Sequence, residues 1–188
     1  MTTTETVTTP ALTGNWSADT VHSELAFKVR HMGVGKAGGT FALTSAALAL
    51  GEAGIAGGSV TATADAASVE TKNDARNNHV RSADFLDAEN HPSIEFRSTG
   101  VREFDGEEFL LDGELTIRGV TKPVTFNAEF LGAAVDAYGN DRVGFAATGT
   151  INRKDFGVNF SAVFGVSNSV VSDKVELTIE AEFTRDAA

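Results

Sequence analysis

Residues 75 to 96, ARNNHVRSADFLDAENHPSIEF, bring His79, Arg81, Asp84, Asp87, Glu89 and His91 into one short stretch. Imidazole beside a carboxylate is the arrangement of general acid–base catalysis, because imidazole titrates near neutrality and the carboxylate fixes its tautomer. A nucleophile is missing. The sequence has no Gly-x-Ser-x-Gly elbow and no cysteine, so only isolated Ser and Thr hydroxyls remain, and no spacing ties them to a base. The plainer reading pairs Arg81 with Asp84 on a solvated helix face, and no catalytic residue is assigned. Metal binding has equally thin support: His22, His31, His79 and His91 lack the close spacing of a zinc site, and the Asp and Asn residues do not form an EF-hand series. Only a folded sheet that gathered His22, His31 and His79 would make a metal site, so neither a metal nor a cofactor is expected.

Two further motifs carry bland alternatives. HMGVGKAGGT, from His31, has the glycines and lysine of a phosphate cradle but lacks the Gly-Lys-Ser/Thr ending and a following helix. It reads as a hairpin link between a strand ending at His31 and one starting at Thr40. INRKDFGVNF, from Ile151, could hold an Arg153–Asp155 pair in a barrel wall, worth only about 0–1 kcal/mol at a surface.

The elements that must position these groups are strands. In KVELTIEAEF, Val175, Leu177, Ile179, Ala181 and Phe183 take one face, while Lys174, Glu176, Thr178, Glu180 and Glu182 take the other. That alternation is the signature of a strand with one buried face. It recurs in ELAFKVRH (Leu25, Phe27, Val29), FLLDGELTIR (Phe109, Leu111, Leu115, Ile117), VTFNAEF (Val124, Phe126, Ala128, Phe130) and RVGFAATGTI (Val143, Phe145, Ala147, Ile151). SIEFRSTGV, GTFALTSAALAL and GSVTATADAA complete eight strands. Asp105-Gly106, Gly119 before Lys122-Pro123, and Gly139-Asn140 supply tight turns, so neighbouring strands are expected to be antiparallel. Residues 72–87 break the pattern and predict two short helices, the first capped by Asn73 or Asp74 and the second by Ser82. Pro92 then forces His91 into an extended conformation that starts the next strand. Residues 1–13, Thr-rich and containing Pro10, read as a flexible tail before a single domain over 14–186.

Eight such strands stack as a sandwich or close as a barrel, and closure removes the unpaired edges. The expected buried face mixes Phe, Leu and Ile with small residues (Ala42, Ala46, Ala62, Ala64, Ala147, Gly149). That mixture suits an eight-stranded barrel with room for one small ligand, or two sheets brought close together. The chain has 188 residues, 41% hydrophobic and 22% charged, which fits one globular domain. A net charge of −11 repels a phosphate backbone and argues against nucleic acid as a partner. No stretch approaches about 18 uninterrupted apolar residues, so no membrane span is predicted. The first residues carry neither a basic segment nor the apolar run of a secretory signal, and a cytoplasmic location is the expectation.

Taken together, WSADTVHSELAFKVRHMGVGKAGGTF, NNHVRSADFLDAENHPSIEFRST, LTIRGVTKPVTF, INRKDFGV and VSDKVELTIEAEF resemble, in that order, the YceI-like family of polyisoprenoid-binding, lipocalin-like proteins. The resemblance runs from Trp16 to Phe183. It implies an all-β fold: an eight-stranded antiparallel lipocalin-like barrel with one or two short helices flanking an apolar tunnel. It further implies a ligand that is an isoprenoid, isoprenoid quinone or fatty-acyl chain, carried or sequestered without chemistry, and a homodimer. Many relatives are exported, from which this sequence departs by lacking a signal. On this reading the tail of the lipid is lined by Phe27, Val29, Phe41, Leu43, Phe96, Leu115, Ile117, Phe126 and Phe145, and the polar stretch, with His31 and His79, clasps the tunnel near the headgroup. Two alternatives stand beside it: an enzyme acting on such a lipid or its phosphate ester with His79 as base, and a ligand-free, stress-related structural protein whose barrel is filled by its own side chains.

Overall fold

The computed structural model of the chain describes residues 11–164 and 168–187. Its strands are β1 (Gly14–Ala18), β2 (Glu24–His31), β3 (Gly35–Phe41), β4 (Leu43–Gly51), β5 (Gly54–Asp65), β6 (Ser93–Arg102), β7 (Glu108–Ile117), β8 (Val120–Val135) and β9 (Asp141–Asn152). The short β10 (Val163–Phe164) and β11 (Asn168–Ser169) pair with each other, and β12 (Val171–Arg185) follows. One helix, α1 (Asp74–Arg81), lies between β5 and β6 in the chain.

Hydrogen bonding runs β1-β4-β5-β6-β7-β8-β9-β12, and β12 returns to β1 through Trp16↔Arg185 and Ala18↔Phe183. Every neighbour is antiparallel, so eight walls close into a barrel. β2 extends the β1 wall along β12 (Leu25↔Ile179, Val29↔Val175), and β3 extends the β4 wall along β2. Closure explains why the alternation was so clean: each strand has one lumen face and one wet face. Tight turns fall where the sequence placed them, at Gly106 (φ 113), Gly119 (φ 73) and Gly139 (φ 86), each left-handed.

The core forms three clusters: one gathers Ile55, Phe109 and Ala128, and the other two mark the ends of the barrel. At one end Trp16, fully buried, packs with Leu48, Leu50, Val143 and Phe183 and plugs the barrel, with the Arg185 guanidinium 4.7 Å above its ring. At the other, Ile94, Leu115, Ile117, Ile151, Phe156 and Val175 pack beneath α1 and the turn at Arg153–Phe156. The expected tail at 1–13 falls mostly on residues 1–10, which lie outside the described residues. Leu12, however, is half-buried against the plug, and Arg185 donates to the Ala11 carbonyl, so packing starts before Gly14.

One helix forms where two were expected. Asn73 caps α1, its side chain accepting from the Arg76 N–H at 2.8 Å, and Asp74 suits the N-terminal dipole. Ser82 ends α1 rather than starting a second helix. Its hydroxyl donates to the His79 carbonyl at 2.7 Å, and the Leu86 and Ala88 N–H groups return to the carbonyls of Val80 and Arg81. The carbonyls left over at the helix C-terminus are therefore satisfied by the folded-back chain, with Asp87 left-handed (φ 51) at the bend. Ala42 is exposed, not lumen-facing: a register shift between Leu43 and Ser45 resets the parity, so Ala46 points inward and Ala42 outward.

Candidate functional site: an apolar lumen with a polar rim

Inside the barrel lies a cavity of about 540 Å³. Phe27, Val29, Phe41, Leu43, Phe96, Leu115, Ile117, Phe126 and Phe145 all line it, as do Ala46, Ala62, Ala64 and Ala147. The barrel is thus not filled by its own side chains in the way the structural-protein alternative expected. A cavity of this size falls in the range of small-ligand pockets.

Glycines keep this lumen open. Phe27 is cross-strand from Gly39, and a Cβ on Gly39 would lie 2.5 Å from the Glu70 carbonyl oxygen, 2.8 Å from Thr71 Cγ2 and 3.0 Å from the Phe27 ring, so this glycine admits both the chain before α1 and the ring. A Cβ on Gly149 would lie 2.6 and 2.8 Å from Phe126, and one on Gly113 2.3 and 2.4 Å from Phe96. Each ring therefore lies flat on the wall over a residue without a side chain, and Phe96 and Phe126 meet edge to face at 5.5 Å. The sequence reading had Gly149 on the inward face but gave Gly39 and Gly113 no role. The available signal was a lumen-parity glycine one strand away from a lumen-parity phenylalanine.

Polar groups gather at the α1 end. His31, at the end of β2, and His79, on α1, are both exposed and both line the cavity, which marks its mouth. His79 Nε2 lies 2.8 Å from Asp84 Oδ2, and its ring meets Phe85 and Phe160 edge-on at 5.0 and 4.9 Å. The carboxylate and two rings fix the imidazole in place; this is the imidazole–carboxylate geometry anticipated from sequence, with Asp84 now identified as the partner. Arg81 does not pair with Asp84. It donates to the carbonyls of Ala67 (2.6 Å) and Val69 (3.1 Å) and to Asn78, tying α1 to the turn that follows β5. Asn77, buried, accepts from the Thr71 N–H and hydroxyl at 2.8 and 2.6 Å and anchors the same segment.

The two arginines on the lining are committed to the protein itself. Arg76 donates to Thr71 Oγ1 and to the Thr71 carbonyl. Arg153, only 5% exposed, donates to the carbonyls of Val158, Phe160, Val171 and Ser172 and to Asp173 Oδ1 at 2.9 Å. Its carboxylate partner is therefore Asp173 rather than the expected Asp155, because Val158 and Phe160 on one side and Val171 to Asp173 on the other enclose the guanidinium. Sequence spacing pointed to Asp155; nothing local pointed to four carbonyls up to 19 residues away.

The histidines do not converge on a metal. His22 sits at the plugged end, a full strand's length of about 20 Å or more from His31. It contacts Asp19 at 2.9 Å, and Asp19, His22 and Glu182 form the one ligand-like group among the described residues. Arg142 already supplies the cation there: it donates to Asp19 at 2.8 Å, to Asp136 at 2.8 Å and to Glu182. The guanidinium holds the Asp19 and Asp136 carboxyls well below the usual range, and Asp19 raises the His22 imidazole. His91 lies 3.9 Å from Asp87 and packs over Gly119.

The sequence profile of the YceI-like domain matches residues 16–183. The chain belongs to the YceI-like family. A YceI-like protein of Escherichia coli O157:H7, Protein YceI, is 37% identical over 161 residues, covering 86% of this chain and 81% of that one. Among solved structures, BcnA of Burkholderia cenocepacia superposes with a TM-score of 0.75 at 25% identity, covering 88% of this chain and 98% of that one. A Saccharophagus degradans domain described as polyisoprenoid-binding and implicated in plant cell wall breakdown shares the fold, with a TM-score of 0.67 at 16% identity over 91% of this chain and 98% of that one. In this YceI-like barrel the polar stretch that first suggested chemistry forms the rim of the lumen.

Proposed function

We propose that this protein binds a long apolar chain bearing a polar head, an isoprenoid, isoprenoid quinone or fatty-acyl lipid, for transport, storage or sequestration. The observation that carries the reading is the cavity of about 540 Å³ walled by aromatic and aliphatic side chains, with its imidazoles confined to the mouth. A chain of about ten methylenes would gain about 8 kcal/mol on entry, before the cost of association, so few head contacts are needed. The shared fold of the polyisoprenoid-binding domain from Saccharophagus degradans supports the same ligand class. Organic extraction of the purified protein followed by mass spectrometry is the test, with titration of a fluorescent isoprenoid analogue. A stoichiometric lipid or saturable binding is expected; absence of both overturns the reading.

The His79–Asp84 pair favours a second reading, an enzyme acting on such a lipid or its phosphate ester with His79 as base. It requires turnover that His79→Ala abolishes while analogue binding survives. Turnover retained in that variant removes His79 from the reaction.

A further inference from the structure

Two independent features mark the mouth of the barrel; large apolar side chains are exposed at the plugged end too (Val21, Leu131, Val135 and Tyr138), but there they stand among carboxylates. The first is the loop joining β2 to β3, whose tip is apolar and exposed: Val34 is 89% exposed and Met32 37%. Met32 (φ 52) and Gly33 (φ 72) are both left-handed, as in a type I′ turn, and the Val34 N–H donates to the His31 carbonyl at 3.2 Å. A methionine held in that conformation is uncommon. The Met32 N–H also donates to the Val170 carbonyl at 3.0 Å, and both His31 and Val170 line the cavity, so the tip is fixed at the mouth.

The second feature is charge. At the plugged end, residues 12–23, 49–55, 102–108, 131–142 and 182–187 carry ten carboxylates against three arginines. At the mouth, residues 30–36, 66–92, 117–122, 152–164 and 168–174 carry ten lysines and arginines against seven carboxylates. The negative charge of the chain is thus concentrated away from the mouth. Beside the apolar tip, Arg30 and Lys36 are exposed and cross-strand neighbours. Lys36 pairs with Glu176 at 2.8 Å, whereas Arg30 has no ion pair among the described residues.

We propose that the mouth docks on an anionic lipid bilayer, with Met32 and Val34 entering the interface and Arg30 and Lys36 facing the headgroups. Basic residues flanking an apolar insertion suit an anionic surface, and the acidic plugged end is repelled from it, so attraction and repulsion give the same orientation. The lumen then opens onto the membrane. That the membrane is the source of the cargo rests on the lipid-binding reading; the docking itself does not.

Flotation of the full chain with vesicles tests the docking. One set is phosphatidylcholine alone, the other phosphatidylcholine with about a third phosphatidylglycerol. Binding at least about tenfold tighter to the anionic vesicles, weakening as salt rises, is expected. The variant M32S/V34S should lose about tenfold or more of that binding, and R30E should lose the preference for anionic vesicles. Neither Met32, Val34 nor Arg30 lines the lumen, so a soluble fluorescent isoprenoid analogue should bind M32S/V34S as it binds wild type. Equal flotation with both vesicle types, or a variant that floats like wild type, overturns the proposal. Analogue binding without flotation leaves the lipid-binding reading intact and sinks only the docking; flotation without analogue binding does the reverse.

Discussion

Gly149→Ala separates an open lumen from a close-packed core. The added Cβ would lie 2.6 and 2.8 Å from Phe126, and no backbone atom crowds it. The ring must retreat by about 1 Å to regain ordinary contact. In a close-packed core, overpacking of this kind costs about 1–3 kcal/mol. Here the retreat is into the lumen, and replacing a strand glycine by alanine returns about 0.5–1 kcal/mol of backbone entropy. The net change in stability should therefore be near zero, a shift in Tm within about 3 °C. Ligand capacity should fall instead. The displaced ring excludes about one or two methylenes of bound chain, about 0.8 kcal/mol each, so Kd for the analogue should rise about four- to fifteenfold. Gly113→Ala is the control. Its Cβ would meet not only Phe96 but also the Arg97 carbonyl at 2.7 Å, and backbone of a neighbouring strand cannot retreat. It should cost about 1–3 kcal/mol. Thermal melts and analogue titration of the two variants decide the matter. If Gly149→Ala melts as early as Gly113→Ala while binding the analogue like wild type, the rings do not border a usable lumen.

Ala62→Trp and Ala147→Trp place an indole in the cavity, whereas Thr178→Trp places one on the wet face. Titration should show the first two losing about 4 kcal/mol of binding, for roughly five methylenes displaced, and the third unchanged. Arg153→Ala strands several buried carbonyls and should cost about 3 kcal/mol or more, read by chemical denaturation. Asp19, Asp136 and Asp112 titrate below their ordinary range, Asp112 at about 2 because of Arg102 and then Thr125. A carboxyl whose folded pKa is lowered stabilises above its unfolded value, near 4, and that contribution disappears as pH falls toward the folded value. Melts across pH should accordingly show Arg142→Gln less stable than wild type at neutral pH, with the gap closing below about pH 4. A gap that stays constant to pH 2 refutes the carboxylate contribution.

What the sequence revealed followed from how locally each feature is encoded. Val175 to Phe183 alternate because one face meets the lumen and the other water, so both the strand and the facing of its residues could be read directly. All nine apolar residues expected on the lumen wall do border it, since parity persists along a strand until a bulge interrupts it. Ala42 failed at such a bulge, which leaves no mark in composition. Asn73 was legible as a cap because capping is a three-residue interaction. Ser82 has the same chemistry, yet the fold-back of Leu86 and Ala88 onto α1 decided its role. Arg81 and Arg153 misled for a common reason: their partners are backbone carbonyls, which every residue has, so no side-chain pattern announces them.

Trp16 and Ala18 on β1 pair with Arg185 and Phe183 on β12, and the Asp186 N–H reaches the Asn15 carbonyl at 2.9 Å. The last wall of the barrel is thus held by residues about 170 positions apart in the chain. During synthesis the first strand emerges long before its partner exists. Until β12 leaves the ribosome, β9 keeps an unpaired edge, and the apolar faces of at least seven walls enclose nothing. Unpaired edges and late long-range contacts make nascent chains prone to aggregation. The lumen-facing surface that suits the finished barrel is, for the growing chain, an exposed hazard, and a polypeptide truncated before β12 should be recovered bound to chaperones or in the insoluble fraction.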